Sequence, residues 1–141
     1  MDHGRERMKH YGIFVHRLYD TRSANAYLPT QPSDFLFLPH QGRTLFLEAK
    51  FSEAHESLRS CFSSSVDGQQ LAAARLIERA KGDYRVLFFS KVSQTAELWH
   101  GGYLAECRSA GLRLDLAKRL VVSNNLTELL DVHILRLRKF S

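Results

Sequence analysis

Two apolar runs that lie close together, residues 35–38 and 44–50, constrain the fold of this chain more than any other feature. The short segment PHQGR separates them, and its Pro39 and Gly42 are residues typical of turns. Two apolar runs joined by such a turn predict an antiparallel hairpin, with one strand over 34–38 and the other over 44–50.

The predicted hairpin places charged residues on strands that otherwise resemble protein core. If the turn is centred on Gln41, Leu36 faces Phe46 and Asp34 faces Glu48. Directly opposed residues share one face of the sheet, with Cβ atoms about 4.5 to 5.5 Å apart. Two carboxylates in that position repel each other unless a positive charge lies between them. A divalent cation would remove the conflict.

Mg²⁺ is the ion that suits this pair, because the candidate ligands are all hard oxygens, and the sequence leaves open whether Mn²⁺ can replace it. Ala49 points to the other face, but its backbone carbonyl is available at the strand edge. A magnesium ion held by one or two carboxylates keeps several waters, and a metal-bound water is an effective nucleophile toward a phosphodiester. Lys50 lies two positions beyond Glu48 on the same face. It could orient or deprotonate the water, or stabilise the charged transition state, and the sequence leaves these roles open.

A purely structural interpretation competes with the metal site. A Glu-x-Lys pair is common on exposed strands, where Glu48 and Lys50 would be solvated or weakly paired. Asp34 follows Pro32 and Ser33 and could simply be a turn residue. The matched register of Asp34 and Glu48 favours the metal site over this alternative.

Length and charge limit the class of protein. The 141 residues, 44% of them hydrophobic, suffice for one domain with a core, so we expect a single domain over 1–141. There are 20 Lys and Arg residues against 15 Asp and Glu residues, which gives a formal charge of +5. This excess of basic residues favours a polyanionic partner such as nucleic acid.

Cysteine content and hydropathy indicate a cytoplasmic protein without a membrane segment. Cys61 and Cys107 are the only cysteines, and their spacing predicts neither a zinc site nor a disulfide framework. No apolar run approaches the roughly 20 residues needed to span a bilayer, and the first ten residues do not resemble a secretory leader.

The remaining patterns predict an α/β fold with a mixed sheet. A serine-rich segment over 53–68 is expected to be a mobile loop, and Gly101-Gly102 is expected to form a turn. The other predicted elements are helices over 5–11, 69–80 and 115–120, and strands over 12–19, 84–90, 96–100 and 132–138.

The motif "PSDF", followed 14 residues after its aspartate by the glutamate of "LFLEAK", resembles the core motif of the PD-(D/E)XK nuclease superfamily. Residues 12–90 are most similar to Holliday junction resolvases of the archaeal and RecU types and to the related VRR-NUC domains. The resemblance implies a restriction-endonuclease-like core, in which a mixed central sheet is flanked by helices. It also implies a Mg²⁺-dependent endodeoxyribonuclease, a phosphodiester hydrolase that acts on branched DNA such as four-way junctions in DNA recombination and repair.

The same resemblance assigns roles to individual residues. It implies that Asp34, Glu48 and the Ala49 carbonyl ligate the metal and that Lys50 is catalytic. Gln70 would approach the metal-bound water or the scissile phosphate. Gln69 competes with Gln70 for this role, but Gln70 is directly followed by an apolar residue, as in the family. The structural alternative is that both are only polar residues at a helix N-terminus.

Family members carry a further glutamate on their first helix, for which Glu6 is the candidate in this chain. Ser33 separates the proline from the aspartate, a departure from the usual motif.

Basic residues near the motif are candidates for contacts with DNA phosphates. Arg17 and Arg22 flank the polar loop before the hairpin, Lys9 lies on the predicted first helix, and Ser23 lies where archaeal resolvases place a functional serine. Cutting two strands symmetrically implies a homodimer with a two-fold axis. The alternatives are a PD-(D/E)XK nuclease for flaps, single strands or a specific duplex sequence, and a catalytically inactive DNA-binding module of the same fold.

Overall fold

A computed structural model describes residues 14–17, 33–38 and 42–135, and for residues 14–17 and 135 it describes only the backbone. The strands are β1 (Phe14–Arg17), β2 (Phe35–Leu38), β3 (Leu45–Ser52), β4 (Asp83–Ser90), β5 (Thr95–His100) and β6 (Val121–Ser123). The helices are α1 (Leu58–Ser65), α2 (Gly68–Arg79), α3 (Gly101–Ala110) and α4 (Leu126–Leu130), with a short 3₁₀ turn at Leu116–Lys118 and a π-helical turn at Asp131–Leu135. None of these described helices is both long and apolar enough to cross a membrane.

The six strands form one mixed sheet and lie in the order of the chain, from β1 to β6. Only the central pair, β3 and β4, is parallel, and every other neighbouring pair is antiparallel. Two parallel neighbours need a long crossover, and here it carries helices α1 and α2. The predicted α/β fold with a mixed sheet is therefore confirmed.

The predicted hairpin register is also confirmed. Leu36 pairs with Phe46, and on either side of this pair Phe35 faces Leu47 and Phe37 faces Leu45. One further step in the same register brings Asp34 opposite Glu48. The alternation of strand side chains then places both carboxylates on the same face of the sheet.

Helices cover the two faces of the sheet unequally. On one face, buried residues of β4 and β5 such as Val86 and Trp99 pack against helices α1, α2 and α3. On the other face, Phe37, Leu45 and Leu98 pack against α4 and the π-helical turn. Phe46 contacts the first cluster, so the alternating residues Glu48 and Lys50 lie on the three-helix side.

The prediction of a mobile loop over 53–68 is wrong, because α1 occupies residues 58–65 in the middle of this segment. Ser57 caps this helix by accepting a hydrogen bond from the Arg59 backbone N–H. Leu58, Cys61 and Phe62 are buried against the sheet. The serines occupy the exposed side of the helix, and its apolar residues are spaced so that they reach the core.

The prediction of a turn at Gly101-Gly102 is wrong as well, because α3 begins there. A side chain at position 101 would place its Cβ 2.6 Å from the Tyr84 ring, so glycine lets the helix start directly against β4. The Gly102 N–H donates a hydrogen bond to Glu78 Oε1 on α2 at 3.1 Å. This glutamate satisfies a backbone donor at the helix N-terminus, which is the function of a cap.

The prediction of a strand over 132–138 is wrong for residues 132–135, which belong to a π-helical turn over 131–135. Leu129, Leu130 and Ile134 are buried at helical spacing against the sheet, and this packing determines the conformation. The helix predicted over 115–120 is reduced to the 3₁₀ turn, and β6 and α4 were not predicted. The predicted helix over 5–11 and residues 136–138 lie outside the described residues.

Candidate active site

Asp34 lies just before β2 and is held against the neighbouring strand. Its Oδ2 atom accepts a hydrogen bond of 3.0 Å from the Ala49 backbone N–H. The backbone pairing of β2 with β3 ends at Phe35 and Leu47. Beyond that point the Asp34 carboxylate, instead of a backbone carbonyl of β2, accepts the hydrogen bond from the β3 backbone. This contact fixes the aspartate beside Glu48.

Glu48 is a buried carboxylate with only part of its hydrogen-bonding capacity used. Its side chain is 4% exposed, and its Oε2 atom lies 3.1 Å from the Lys50 ammonium. The Gln70 Nε2 amide donates to the same oxygen at 2.8 Å. The other oxygen, Oε1, is buried without a hydrogen-bond partner among the described residues. A buried carboxylate oxygen without a partner is costly, so this atom is a strong candidate for contact with a ligand.

The Gln70 side chain connects helix α2 to Glu48. Its Oε1 atom accepts a hydrogen bond from the backbone N–H of Asp67, the residue that caps the helix, at 3.4 Å. Its Nε2 atom is thereby directed toward Glu48. Gln70 is thus both a helix N-terminal residue, as the structural alternative proposed, and a contact to the candidate site. Gln69 is exposed, and its backbone N–H donates to Asp67 instead.

Burial raises the pKa of Glu48, and the negative charge of Asp34 raises it further. Lys50 and the Gln70 hydrogen bond act in the opposite direction, since both stabilise the ionised form. Burial also raises the pKa of the Tyr84 hydroxyl, with further contributions from Glu48 and then Asp34. The two carboxylates therefore interact electrostatically, as the predicted pairing required.

Glu97 on β5 is a second buried carboxylate on the same face, and the sequence analysis did not identify it. It accepts hydrogen bonds from the Ser57 hydroxyl, from the Leu58 N–H at 2.8 Å and from the Arg119 guanidinium at 2.7 Å. Both of its oxygens have partners. The bonds to Ser57 and Leu58 hold the start of α1 against the sheet. Glu48 Oε1, by contrast, has no hydrogen-bond partner among the described residues.

The contact between Gln70 and Glu48 leads to a prediction that does not depend on function. Gln70→Ala should raise the pKa of Glu48 further, because it removes a donor that stabilises the carboxylate. Carboxyl-selective NMR titration in metal-free buffer would measure this pKa directly. Gln69→Ala is the matched control and should leave the pKa unchanged. Equal pKa values in both variants and the parent would contradict the assigned contact.

The remaining predicted site residues are outside the part of the chain whose side chains are described. Glu6, Lys9, Arg22 and Ser23 lie outside the described residues, and only the backbone of Arg17 on β1 is described. Their roles at the metal site and in DNA binding therefore stay predictions. The structure brings together the other members of the set: Asp34, Glu48, Ala49, Lys50 and Gln70.

The assembled groups form a small, oxygen-rich site with one cationic side chain. No group of three or more His, Cys, Asp or Glu side chains suited to a metal occurs within 33–38 and 42–134. Two carboxylates and a strand carbonyl make a sparser set of donors, of the kind that Mg²⁺ uses while it keeps several waters. The donor set and the orphaned Glu48 Oε1 therefore fit this ion.

No protein-family model matches the chain, and no curated protein sequence matches it.

Proposed function

We propose that this protein is a Mg²⁺-dependent endodeoxyribonuclease of the PD-(D/E)XK type. The observation that carries the proposal is Glu48, a buried carboxylate with one oxygen that finds no partner among the described residues, placed beside Asp34 and 3.1 Å from the Lys50 ammonium. The ionised form of Glu48 is disfavoured in this arrangement, first by burial and then by the nearby charge of Asp34. Strained electrostatics of this kind are typical of functional sites.

Asp34, Glu48 and the Ala49 carbonyl would hold the ion, with Mn²⁺ as a substitute for Mg²⁺. When bound, the metal supplies a more acidic water and neutralises charge on a phosphate. Gln70 holds the Glu48 carboxylate from the helix side, and the Asp67 backbone fixes the orientation of the Gln70 amide. These contacts orient the ligand as outer-shell partners do in other metal sites.

Lys50 is the group of this chain that can act on the phosphate. Its side chain is 24% exposed, so the ammonium reaches from the buried Glu48 toward solvent, where a DNA strand would lie. A cation there stabilises the negative charge that develops on the phosphate, and a neutral amine could take a proton from the attacking water. Both roles need the same position, and the variants Lys50→Met and Lys50→Arg separate them.

Branched DNA is the substrate class that we propose, with four-way junctions as the principal member. The support is the resemblance of residues 12–90 to Holliday junction resolvases, together with the basic composition of the chain, which favours a polyanion. A resolvase cuts two strands symmetrically, so we further propose a homodimer that carries two copies of the site.

The test compares the parent with Asp34→Asn on one labelled strand presented as a four-way junction, a flap, a single strand and a blunt duplex. The parent should cut the junction in Mg²⁺ and stop cutting when the metal is chelated. Asp34→Asn should lose at least a hundredfold in rate, because a metal ligand is removed. Glu53→Gln, which neutralises an exposed carboxylate, is the matched control and should cut like the parent.

Each result has a definite consequence. Cleavage that is insensitive to metal, or equal in the parent and Asp34→Asn, would overturn the nuclease proposal. Preference for the flap or the single strand would overturn only the resolvase assignment. A monomer on junction DNA, measured by sedimentation, would overturn the homodimer.

A further inference from the structure

Arg108 on α3 holds the chain at the end of helix α1. Its Nη2 atom donates hydrogen bonds to the backbone carbonyls of Phe62 at 3.1 Å and of Val66 at 2.9 Å. Its guanidinium carbon also lies 4.6 Å from the centre of the Phe62 ring, a distance at which a cation is attracted to the aromatic face. These contacts join α3 to the point where α1 ends.

The two carbonyls lie where the backbone needs a donor from outside its own helix. The last carbonyls of a helix have no intrahelical N–H group left to accept from. The Phe62 carbonyl also accepts from the Val66 N–H at 3.2 Å. The Val66 carbonyl lies in the short connection between α1, which ends at Ser65, and α2, which begins at Gly68. A carbonyl in a connection packed against the core needs a partner, and Arg108 supplies it.

The same peptide group leads directly to the candidate active site. The Val66 carbonyl and the Asp67 N–H belong to one planar peptide unit, so they point in opposite directions. The Asp67 N–H donates to Gln70 Oε1 at 3.4 Å, and Gln70 Nε2 donates to Glu48 Oε2 at 2.8 Å. A donor that fixes the direction of the carbonyl therefore fixes the direction of the N–H that holds Gln70.

We propose that Arg108 is a positioning residue for the candidate active site: through the peptide group between Val66 and Asp67 it holds the Gln70 amide on Glu48. Its effect on cleavage rests on the proposed nuclease function, whereas its effect on Gln70 can be measured without metal or DNA. Arg108 orients the residue that in turn orients a proposed metal ligand, as outer supporting residues do in other sites.

The test follows the Gln70 side-chain amide by nitrogen-15 NMR in metal-free buffer, where its signal is the one missing from Gln70→Ala. Arg108→Met keeps an apolar stem but removes both hydrogen bonds to the carbonyls. It should shift this signal and speed the exchange of its hydrogens with water by about twofold to tenfold, the effect expected when one hydrogen bond is weakened. An unchanged signal in folded Arg108→Met would overturn the proposal.

Arg75→Met is the matched control, because Arg75 also joins α2 to α3. It donates to the Ala105 carbonyl at 3.3 Å and to the Ser109 hydroxyl at 2.6 Å, away from the connection between α1 and α2. The Gln70 signal should stay as in the parent. An equal change in Arg75→Met would overturn the proposal, since it would show that any loosening of the helices disturbs Gln70.

A second variant and an unfolding control cover the case in which Arg108→Met does not fold. Urea unfolding shows whether each variant is folded. Arg108→Lys keeps a cationic donor without the guanidinium fork, so its exchange rate should lie between those of the parent and Arg108→Met. Exchange in Arg108→Lys at the parent rate, with Arg108→Met unfolded, would also count against the positioning role.

Cleavage in Mg²⁺ tests whether Arg108 acts through Gln70. Arg108→Met should raise the Mg²⁺ concentration for half-maximal cleavage by no more than Gln70→Ala does, which should be about tenfold to a hundredfold. Combined with Gln70→Ala, Arg108→Met should add nothing, because both remove the same contact. Its affinity for junction DNA without metal should stay within about twofold, since Arg108 binds protein carbonyls. Fully additive effects would overturn the route through Gln70.

The two proposals fail separately. If Asp34→Asn cuts like the parent, the nuclease proposal fails whatever the Gln70 signal shows. If cleavage depends on Asp34 but the Gln70 signal is the same in Arg108→Met and the parent, only the positioning role of Arg108 fails.

Discussion

Glu48→Gln should abolish Mg²⁺-dependent cleavage, with a loss of a thousandfold or more, and should make the metal-free protein more stable at neutral pH. The activity is lost because the amide removes a charged ligand from the proposed metal site. The stability rises because the buried carboxylate, which is close to Asp34 and has one oxygen without a partner in the described part of the chain, becomes neutral. Gln70 can still donate its hydrogen bond to the new side chain.

The stability effect has a defined dependence on pH. The pKa of Glu48 in the folded protein is raised, first by burial and then by Asp34, from an ordinary value of 4.5. Folding therefore favours the protonated form, and the parent loses stability as the pH rises from about 4.5 through the raised folded pKa. The amide that replaces Glu48 in the variant does not titrate, so the advantage of the variant should grow across this window and then stay constant.

Urea unfolding at a series of pH values, with a chelator present, measures this difference in the free energy of unfolding. The contributions of titratable groups that both proteins share largely cancel in this difference. A parent that gains stability relative to the variant as the pH rises from about 4.5 would contradict the assigned environment of Glu48. Adding Mg²⁺ should stabilise the parent more than the variant, because a ligand stabilises only the form that binds it.

Lys50→Met should reduce cleavage by about a hundredfold to ten-thousandfold, because it removes either the stabilising charge or the proton acceptor. The amine also lowers the pKa of Glu48, so its loss should weaken metal binding at low pH. Rates are therefore compared at saturating Mg²⁺ and across a pH series, together with the affinity for DNA. Cleavage by Lys50→Met within tenfold of the parent under these conditions would remove Lys50 from the catalytic set.

Lys50→Arg distinguishes the two roles of the lysine. Arginine keeps the positive charge but does not give up a proton in the accessible pH range. If Lys50 stabilises charge, the arginine variant should retain much more activity than the methionine variant. If Lys50 takes the proton from water, both variants should be equally impaired.

Local pattern was sufficient for the hairpin and for the faces of its residues. Strand side chains alternate strictly, and a turn predicted around Gln41 specifies which residues face each other, so the observed pairing of Leu36 with Phe46 followed from the sequence. The positions of Asp34, Glu48 and Lys50 on one face depend only on that register. The helix containing Gln70 was predictable for a similar reason, since alanine and leucine favour a helix, and the observed helix runs from Gly68 to Arg79.

Elements that depend on distant partners were not predictable in the same way. The serine-rich segment becomes helix α1 because its few apolar residues find the sheet and because Glu97, far away in sequence, accepts the Leu58 N–H. The Gly101-Gly102 pair starts a helix because Glu78 of α2 caps it. In both cases the local preference for a loop or turn was overridden by a contact between separate elements.

The sequence by itself determined which residue types share one sheet face, because alternation along a strand is a property of neighbouring residues. Only the tertiary structure decided that Glu48 is buried and that, within the described ranges, one of its oxygens lacks a partner while both oxygens of Glu97 have partners. It also decided that Phe51 remains exposed. Burial and electrostatic interaction depend on distances through space to helices α1 and α2 and to β4, and these distances are set by packing of the whole fold.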